Sequence, residues 1–154
     1  MSIAFTVRAI RPDDFAAWLP LWDGYNAFYG RAGAAALPEA NTRCTWARFF
    51  DPAEPVNALV AERDGELLGL VHFIYHRNTI LIGPICYLQD LFTVDSARGQ
   101  GVGRALIMAV NERARADGAE RVYWQTHETN STAMELYDKL ATRTGFLVYR
   151  QNLS

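Results

Sequence analysis

A run of strand-forming residues, Tyr87-Leu88-Gln89-Asp90-Leu91-Phe92-Thr93-Val94, passes through Asp95-Ser96-Ala97 into Arg98-Gly99-Gln100-Gly101-Val102-Gly103 and then into a helical pattern. A strand that enters a glycine-rich turn and leaves it as a helix constrains this chain more than any other feature. The first amides of a helix have no partner within it, so several converge on whatever lies at its start. A phosphate suits both those donors and the helix dipole. Glycine at 99 and 101 allows backbone angles closed to other residues, Gly103 keeps the first turn small, and Arg98 adds a charged donor. Two nucleotide-binding readings fall away. The spacing is not the GxGxxG of a dinucleotide fold, and no Gly-Lys-Ser/Thr closes the turn as in a Walker loop. On the glycines alone, a turn that merely reverses the chain stays open.

Around this junction the periodicity alternates between two and 3.6. Strands are predicted over Ile3 to Arg8, Val56 to Glu62, Glu66 to His76, Leu81 to Val94, Arg121 to Thr126 and Phe146 to Tyr149. The Arg63-Asp64-Gly65 turn suits a hairpin between the second and third. Helices are predicted after the entry signal Arg11-Pro12-Asp13-Asp14, with Phe15, Trp18, Leu19 and Trp22 on the apolar side, from about Thr42 to Phe50, from Gln100 to Ala116 and from Ser131 to Ala141. Pro20 should kink or interrupt the first of these, leaving Tyr25, Phe28 and Tyr29 to a second short helix or a loop. Hairpins mixed with strand-helix-strand units predict an α/β sandwich. The 154 residues are half hydrophobic, enough for one domain spanning 1–154 with its own core and no need of disulfides.

The junction, taken together with the residues downstream of it, strongly resembles the GNAT superfamily of acyl-coenzyme A-dependent N-acyltransferases. Arg98, Gly101 and Gly103 match the family's pyrophosphate-loop pattern, and the likeness extends from Leu91 through Leu106. Asn130, Ala133, Leu136 and Tyr137 look like its second cofactor motif. The resemblance implies a mixed twisted sheet of about six or seven strands, helices on both faces, and two central parallel strands that splay apart. It implies acetyl-coenzyme A (acetyl-CoA) as cofactor and a homodimer. The cofactor's pantetheine arm would pair with the backbone of Phe92, Thr93 and Val94. Its diphosphate would sit on Arg98, Gly99, Gln100, Gly101, Val102 and Gly103, with Arg104 and Asn130 nearby. The nearest likeness is to histone/polyamine and diamine acetyltransferases.

The implied reaction is direct transfer of an acetyl group to the primary amine of a small molecule, polyamine or basic peptide or protein. A backbone amide near Phe92 would stabilise the oxyanion, and Tyr137, by its match to the family tyrosine, would protonate the departing thiolate. Asp90 is the leading acceptor for the amine's proton, by a likeness to members with an acid at this strand position; Gln89 stands where some diamine acetyltransferases carry a second carboxylate. Asp90 reads equally as a residue that caps backbone amides or pairs with an arginine. The acceptor should enter beside the N-terminal helices, where Trp22, Asp23, Tyr25 and Tyr29 would line its path with Gln89, Asp90 and His127, Asp23 and Glu39 attracting a cation. The same aromatic stripe reads as core or dimer surface.

The remaining residues narrow the field. The three histidines, His72, His76 and His127, are scattered without a completing acid or cysteine, so no metal is expected. Cys44 and Cys86 are expected as reduced thiols. Acidic and basic residues nearly balance at a net charge of -2, which argues against nucleic acid as the main partner. No apolar window reaches the length of a membrane span and the N-terminus lacks a leader pattern, so the cytoplasm is the expected location. A second reading, a noncatalytic acyl-CoA-binding regulator, requires the same fold.

Overall fold

The computed structural model describes residues 4–154, so Ile3, the expected start of the first strand, lies outside the described residues. The chain forms two compact units, the first ending at Trp124 and the second running from Gln125 to Ser154.

The first unit is built on a mixed, twisted sheet of five strands in sequence order. These are β1 (Thr6–Ala9), β2 (Val56–Arg63), β3 (Glu66–His76), β4 (Ile85–Thr93) and β5 (Arg121–Tyr123). The first four are antiparallel neighbours and β5 joins β4 in parallel. The β2–β3 hairpin closes on Asp64 and Gly65, both at positive φ (51° and 80°), as its Asp-Gly pair predicts. Successive strand residues face opposite sides of a sheet. Leu70 accordingly packs with Trp18, Trp22 and Val60, under helix α1 (Phe15–Phe28). Its neighbour Gly69 lies against Val102 and Leu106 of helix α3 (Val102–Ala116) on the other face. Helix α2 (Glu39–Arg48) adds Trp46 to the α1 side.

Two expectations about this unit are corrected. Helix α1 passes through Pro20 and carries Trp22 and Tyr25 in the same element. Pro20 is exposed, while Trp18, Leu21, Trp22 and Tyr25 are buried. A missing interior hydrogen bond costs about 3 kcal/mol; each buried large side chain contributes roughly 1.5–3 kcal/mol, and four of them outweigh the loss. Strand β5 stops at Tyr123 instead of reaching Thr126, so its pairing with β4 ends at Tyr87↔Tyr123 while β4 continues to Thr93. The two parallel strands therefore splay.

The second unit holds α4 (Ser131–Leu140), whose N-terminus is capped by Asn130 accepting from the Ala133 N–H at 3.4 Å. Phe146 to Tyr149 form no strand, and all four are exposed. The sheet thus has five strands among the described residues and not six or seven. Strand propensity yields a strand only where a partner ladder accepts its backbone, and none does so at this segment.

Gly69 ties the two faces to the strand that carries the site. A Cβ there would stand 2.9 Å from the Phe92 carbonyl oxygen and 2.9 Å from Val102 Cγ1. The carbonyl belongs to the β3–β4 ladder and cannot swing away. Gly69→Ala is expected to lower unfolding free energy by about 1–3 kcal/mol, read from urea denaturation; an unchanged midpoint would mean that the sheet yields freely at this point.

Candidate active site

The register of β4 changes at one residue. Phe73 pairs with Leu88 while His72 pairs with Asp90, which leaves Gln89 as an extra, exposed residue in a bulge. Hydrogen-bonded and non-bonded pairs alternate along an antiparallel ladder. The Val94 N–H donates to the Leu68 carbonyl at 2.9 Å, so residues 90, 92 and 94 turn their backbone groups to β3. Leu91 and Thr93 turn theirs to the edge that β5 has left, where the Thr93 carbonyl accepts from Arg98 Nε at 3.2 Å. Of the three backbone positions expected to meet the cofactor, Thr93 is on the open edge. Phe92 and Val94 face the ladder, and Leu91 shares the open edge with Thr93.

Strand β4 leads into the glycine turn. Gly99 and Gly101 have φ of 74° and 86°, so both need glycine for the backbone alone, and a Cβ built at either meets no heavy atom within 4 Å. Gly101 is the N-cap of α3; no side chain caps that end, and no acidic residue occupies the first turn. Val102 is buried beneath the turn, while Arg104 is exposed. Arg98 is held by Asp95 at 3.0 Å and lies 5.8 Å over the Phe92 ring. Gln100 Nε2 donates to the Ser96 carbonyl at 3.1 Å. Uncapped helix amides under an open, glycine-only surface fit a diphosphate.

On the α1 face a buried polar chain begins at Trp18. Its indole N–H donates to His72 Nε2 at 3.1 Å, and His72 Nδ1 lies 2.9 Å from Asp90 Oδ2. An indole only donates, so Nε2 must accept and Nδ1 carries the proton given to Asp90. Tyr25 adds its hydroxyl to the same carboxylate. Burial first, then the Asp90 charge and the hydrogen bond to it, hold that phenol protonated well above the ordinary tyrosine range. Trp18, His72 and Asp90 are 0%, 2% and 7% exposed. Among the described residues Asp90 neither pairs with an arginine nor caps backbone amides; its partner is a histidine read from the sequence as lacking a nearby acid. Tyr87 and Tyr123 stack at 4.9 Å, and burial, followed by the charges of neighbouring groups, Asp90 among them, also raises Tyr87.

The other expected acceptor residues divide. Trp22 is core, stacked between Trp18 and Tyr25 with its N–H on Thr42 Oγ1 at 3.2 Å. Tyr29 packs against Tyr25 and is half exposed. Asp23 is exposed, and Glu39 pairs with Arg43 at 3.5 Å. In the second unit, His127 Nδ1 lies 2.7 Å from Thr129 Oγ1 and accepts from the Thr129 N–H at 3.2 Å, which stiffens the turn before α4. Among the described residues no group of three or more His, Cys, Asp or Glu could hold a metal ion, and no helix is long and apolar enough to cross a membrane. Cys86 is buried, and its thiol is pushed up to about 12 by burial; Cys44 is exposed.

The sequence and the fold both have counterparts in known proteins. The sequence profile described as "Acetyltransferase (GNAT) family" matches residues 18–141. The chain belongs to this family. It is a GNAT acetyltransferase, an enzyme of acyl-CoA-dependent N-acetyl transfer. It is 35% identical over 148 residues to a D-amino-acid N-acetyltransferase of Saccharomyces cerevisiae, covering 95% of this chain and 89% of that one. It is 31% identical to an uncharacterized N-acetyltransferase of Bacillus subtilis, covering 96% and 97%. The fold matches an aminoglycoside acetyltransferase from an uncultured soil metagenomic sample with a TM-score of 0.82 at 16% identity, covering 97% of each chain.

The raised Tyr25 phenol predicts that the GNAT enzyme loses stability as the pH turns alkaline. A hydroxyl whose folded pKa lies above its unfolded value contributes in full below about pH 10 and loses that contribution as pH rises further, because only the unfolded chain then ionises. Tyr25, Tyr75, Tyr87 and Tyr123 all share this sign. The urea midpoint is expected to fall as pH is raised from about 9 to about 11, and Tyr25→Phe to fall less over the same interval. An equal fall in both proteins would place the Tyr25 hydroxyl in water.

Proposed function

We propose that this enzyme transfers the acetyl group of acetyl-CoA directly to the primary amine of a small molecule or basic peptide within a ternary complex, with residues 1–154 acting as one catalytic domain. The observation that carries the reading is Asp90, buried and held by His72 one residue beyond the bulge that sets the phase of the β4 backbone. Acetyl-CoA, when bound, supplies the activated acyl carbon and a thiol leaving group. The turn 98–103 holds its diphosphate through the first amides of α3, and the backbone of Leu91 and Thr93 takes the pantetheine amides as an added strand would be taken.

Asp90 serves the amine. A carboxylate has about four acceptor sites, of which His72 and Tyr25 use two. The remainder accept from the incoming ammonium or from a water that carries its proton away. His72, fixed by Trp18, keeps the carboxylate from rotating, and holding amine and thioester together removes much of the entropy of a bimolecular encounter. Tyr137 on α4, by its place in the Asn130-to-Tyr137 motif, gives its proton to the departing thiolate. The name of the yeast relative supports an acceptor of small-molecule size over a protein.

Release of coenzyme A with a panel of polyamines, amino acids, aminoglycosides and basic peptides tests the reading. Tyr137→Phe is expected to keep coenzyme A affinity within a few-fold while lowering kcat about a hundredfold. Asp90→Asn is expected to lower kcat/KM most at low pH, where neutral amine is scarce. Turnover unchanged across the pH range in either variant would remove that residue from its role. Saturable coenzyme A binding with no amine-dependent release from the wild type would favour an acyl-CoA-binding regulator.

A further inference from the structure

A positive charge stands over the Tyr25 and Tyr29 rings. Arg31 lies just beyond the end of α1, and its guanidinium carbon lies 5.8 Å from the centre of the Tyr25 ring and 5.6 Å from that of Tyr29. Its placement is built from beneath. Asn26, 4% exposed, accepts from Arg31 Nε at 2.7 Å through its side-chain oxygen and from the Arg31 N–H at 2.8 Å through its carbonyl. Asn26 is itself fixed, donating through Nδ2 to the Trp22 carbonyl at 2.9 Å. With Nε engaged, Nη1 and Nη2 have no hydrogen-bond partner among the described residues, and no acidic side chain pairs with Arg31. Arg8, by contrast, is consumed by Asp14 and Glu62.

We propose that Arg31 binds a carboxylate of the acceptor, so that the substrates of this enzyme are amino acids whose amine is directed to Asp90. This rests on the reading of Asp90 as the residue that receives the amine. The two ends are joined by Tyr25, whose ring faces Arg31 and whose hydroxyl meets Asp90. Guanidinium and carboxylate are then separated by at most about 11 Å, while an α-amino acid hydrogen-bonded at both ends spans roughly 9 Å. The charges of both residues act on the Tyr25 phenol, with opposite signs. A polyamine would set a second cation against Arg31, a like-charge contact in a partly buried site. An amino acid instead offers a carboxylate to a planar, pre-oriented fork. Asp23 and Glu39, expected from the sequence to draw in a cation, stand exposed or paired elsewhere.

Matched acceptors isolate the carboxylate. D- and L-alanine, leucine and phenylalanine are each compared with their carboxamide and their decarboxylated amine for coenzyme A release. The carboxamide is the weaker base and presents more neutral amine at any pH, so a preference for the acid cannot come from nucleophile supply. At least one amino acid is expected to exceed its carboxamide at least tenfold in kcat/KM. Arg31→Gln should reduce that ratio to near one, mainly by raising KM for the acid ten- to hundredfold, and Arg31→Lys should restore part of it. A wild type that prefers the amide, the amine or spermidine, or a ratio that survives Arg31→Gln, would overturn the proposal. If no acceptor is turned over, the acetyl-transfer reading of Asp90 has failed, and calorimetric titration of the same amino acids into protein with coenzyme A added decides the Arg31 site separately. Saturable binding abolished by Arg31→Gln would sustain it, and no binding would end it.

Discussion

Backbone donors and acceptors that leave one ladder without joining another must find a partner. Strand β4 parts from β5 after Tyr87 and runs on to Thr93, so among the described residues the backbone groups of Leu91 and Thr93 line an edge with no strand paired to it. The bulge at Gln89 sets which residues those are, because one inserted residue shifts the phase of every backbone group beyond it. The same strand then delivers the chain into the turn at Gly99 and Gly101, where α3 begins without a cap. An extended, amide-bearing arm ending in a diphosphate matches both gaps in order.

The acid beside this edge is a problem of charge burial solved by aromatic packing. An ionised carboxylate left unpaired in a protein interior costs several kcal/mol. Asp90 has His72 at 2.9 Å, with the Tyr25 phenol beside it. His72 in turn is oriented by Trp18, which sits among Phe15, Trp22, Trp46 and Phe49. Helices α1 and α2 therefore do more than cover one face of the sheet. They hold the histidine that holds the acid, and the end of α1 sets Arg31 over the same phenol.

Local features were legible in the sequence. The Asp64-Gly65 turn, the helix after Gly101 and the glycine turn that precedes it depend on residues within a few positions of one another, where periodicity and turn chemistry decide. Asp90 was legible as a candidate through its place in the motif. His72 was not, since its contact lies 18 residues away and exists only in the register that the bulge creates. Pro20 misled because the burial of the opposite helix face outweighs one lost hydrogen bond. Phe146 to Tyr149 misled because a strand is a property of two segments and not of one. Arg31 carried no signal of its own; an arginine beyond a helix end is usually solvated, and only Asn26 beneath it makes it a fixed charge.

The most direct test of the account is amide hydrogen exchange along β4, monitored by NMR with and without coenzyme A. In the free protein the Leu91 and Thr93 amides are expected to exchange faster than those of Phe92 and Val94, and saturating coenzyme A to slow Leu91 and Thr93 by at least about tenfold. Protection confined to Phe92 and Val94, or no change anywhere on β4, would contradict the claim that the edge opened after Tyr87 is where the acyl carrier binds.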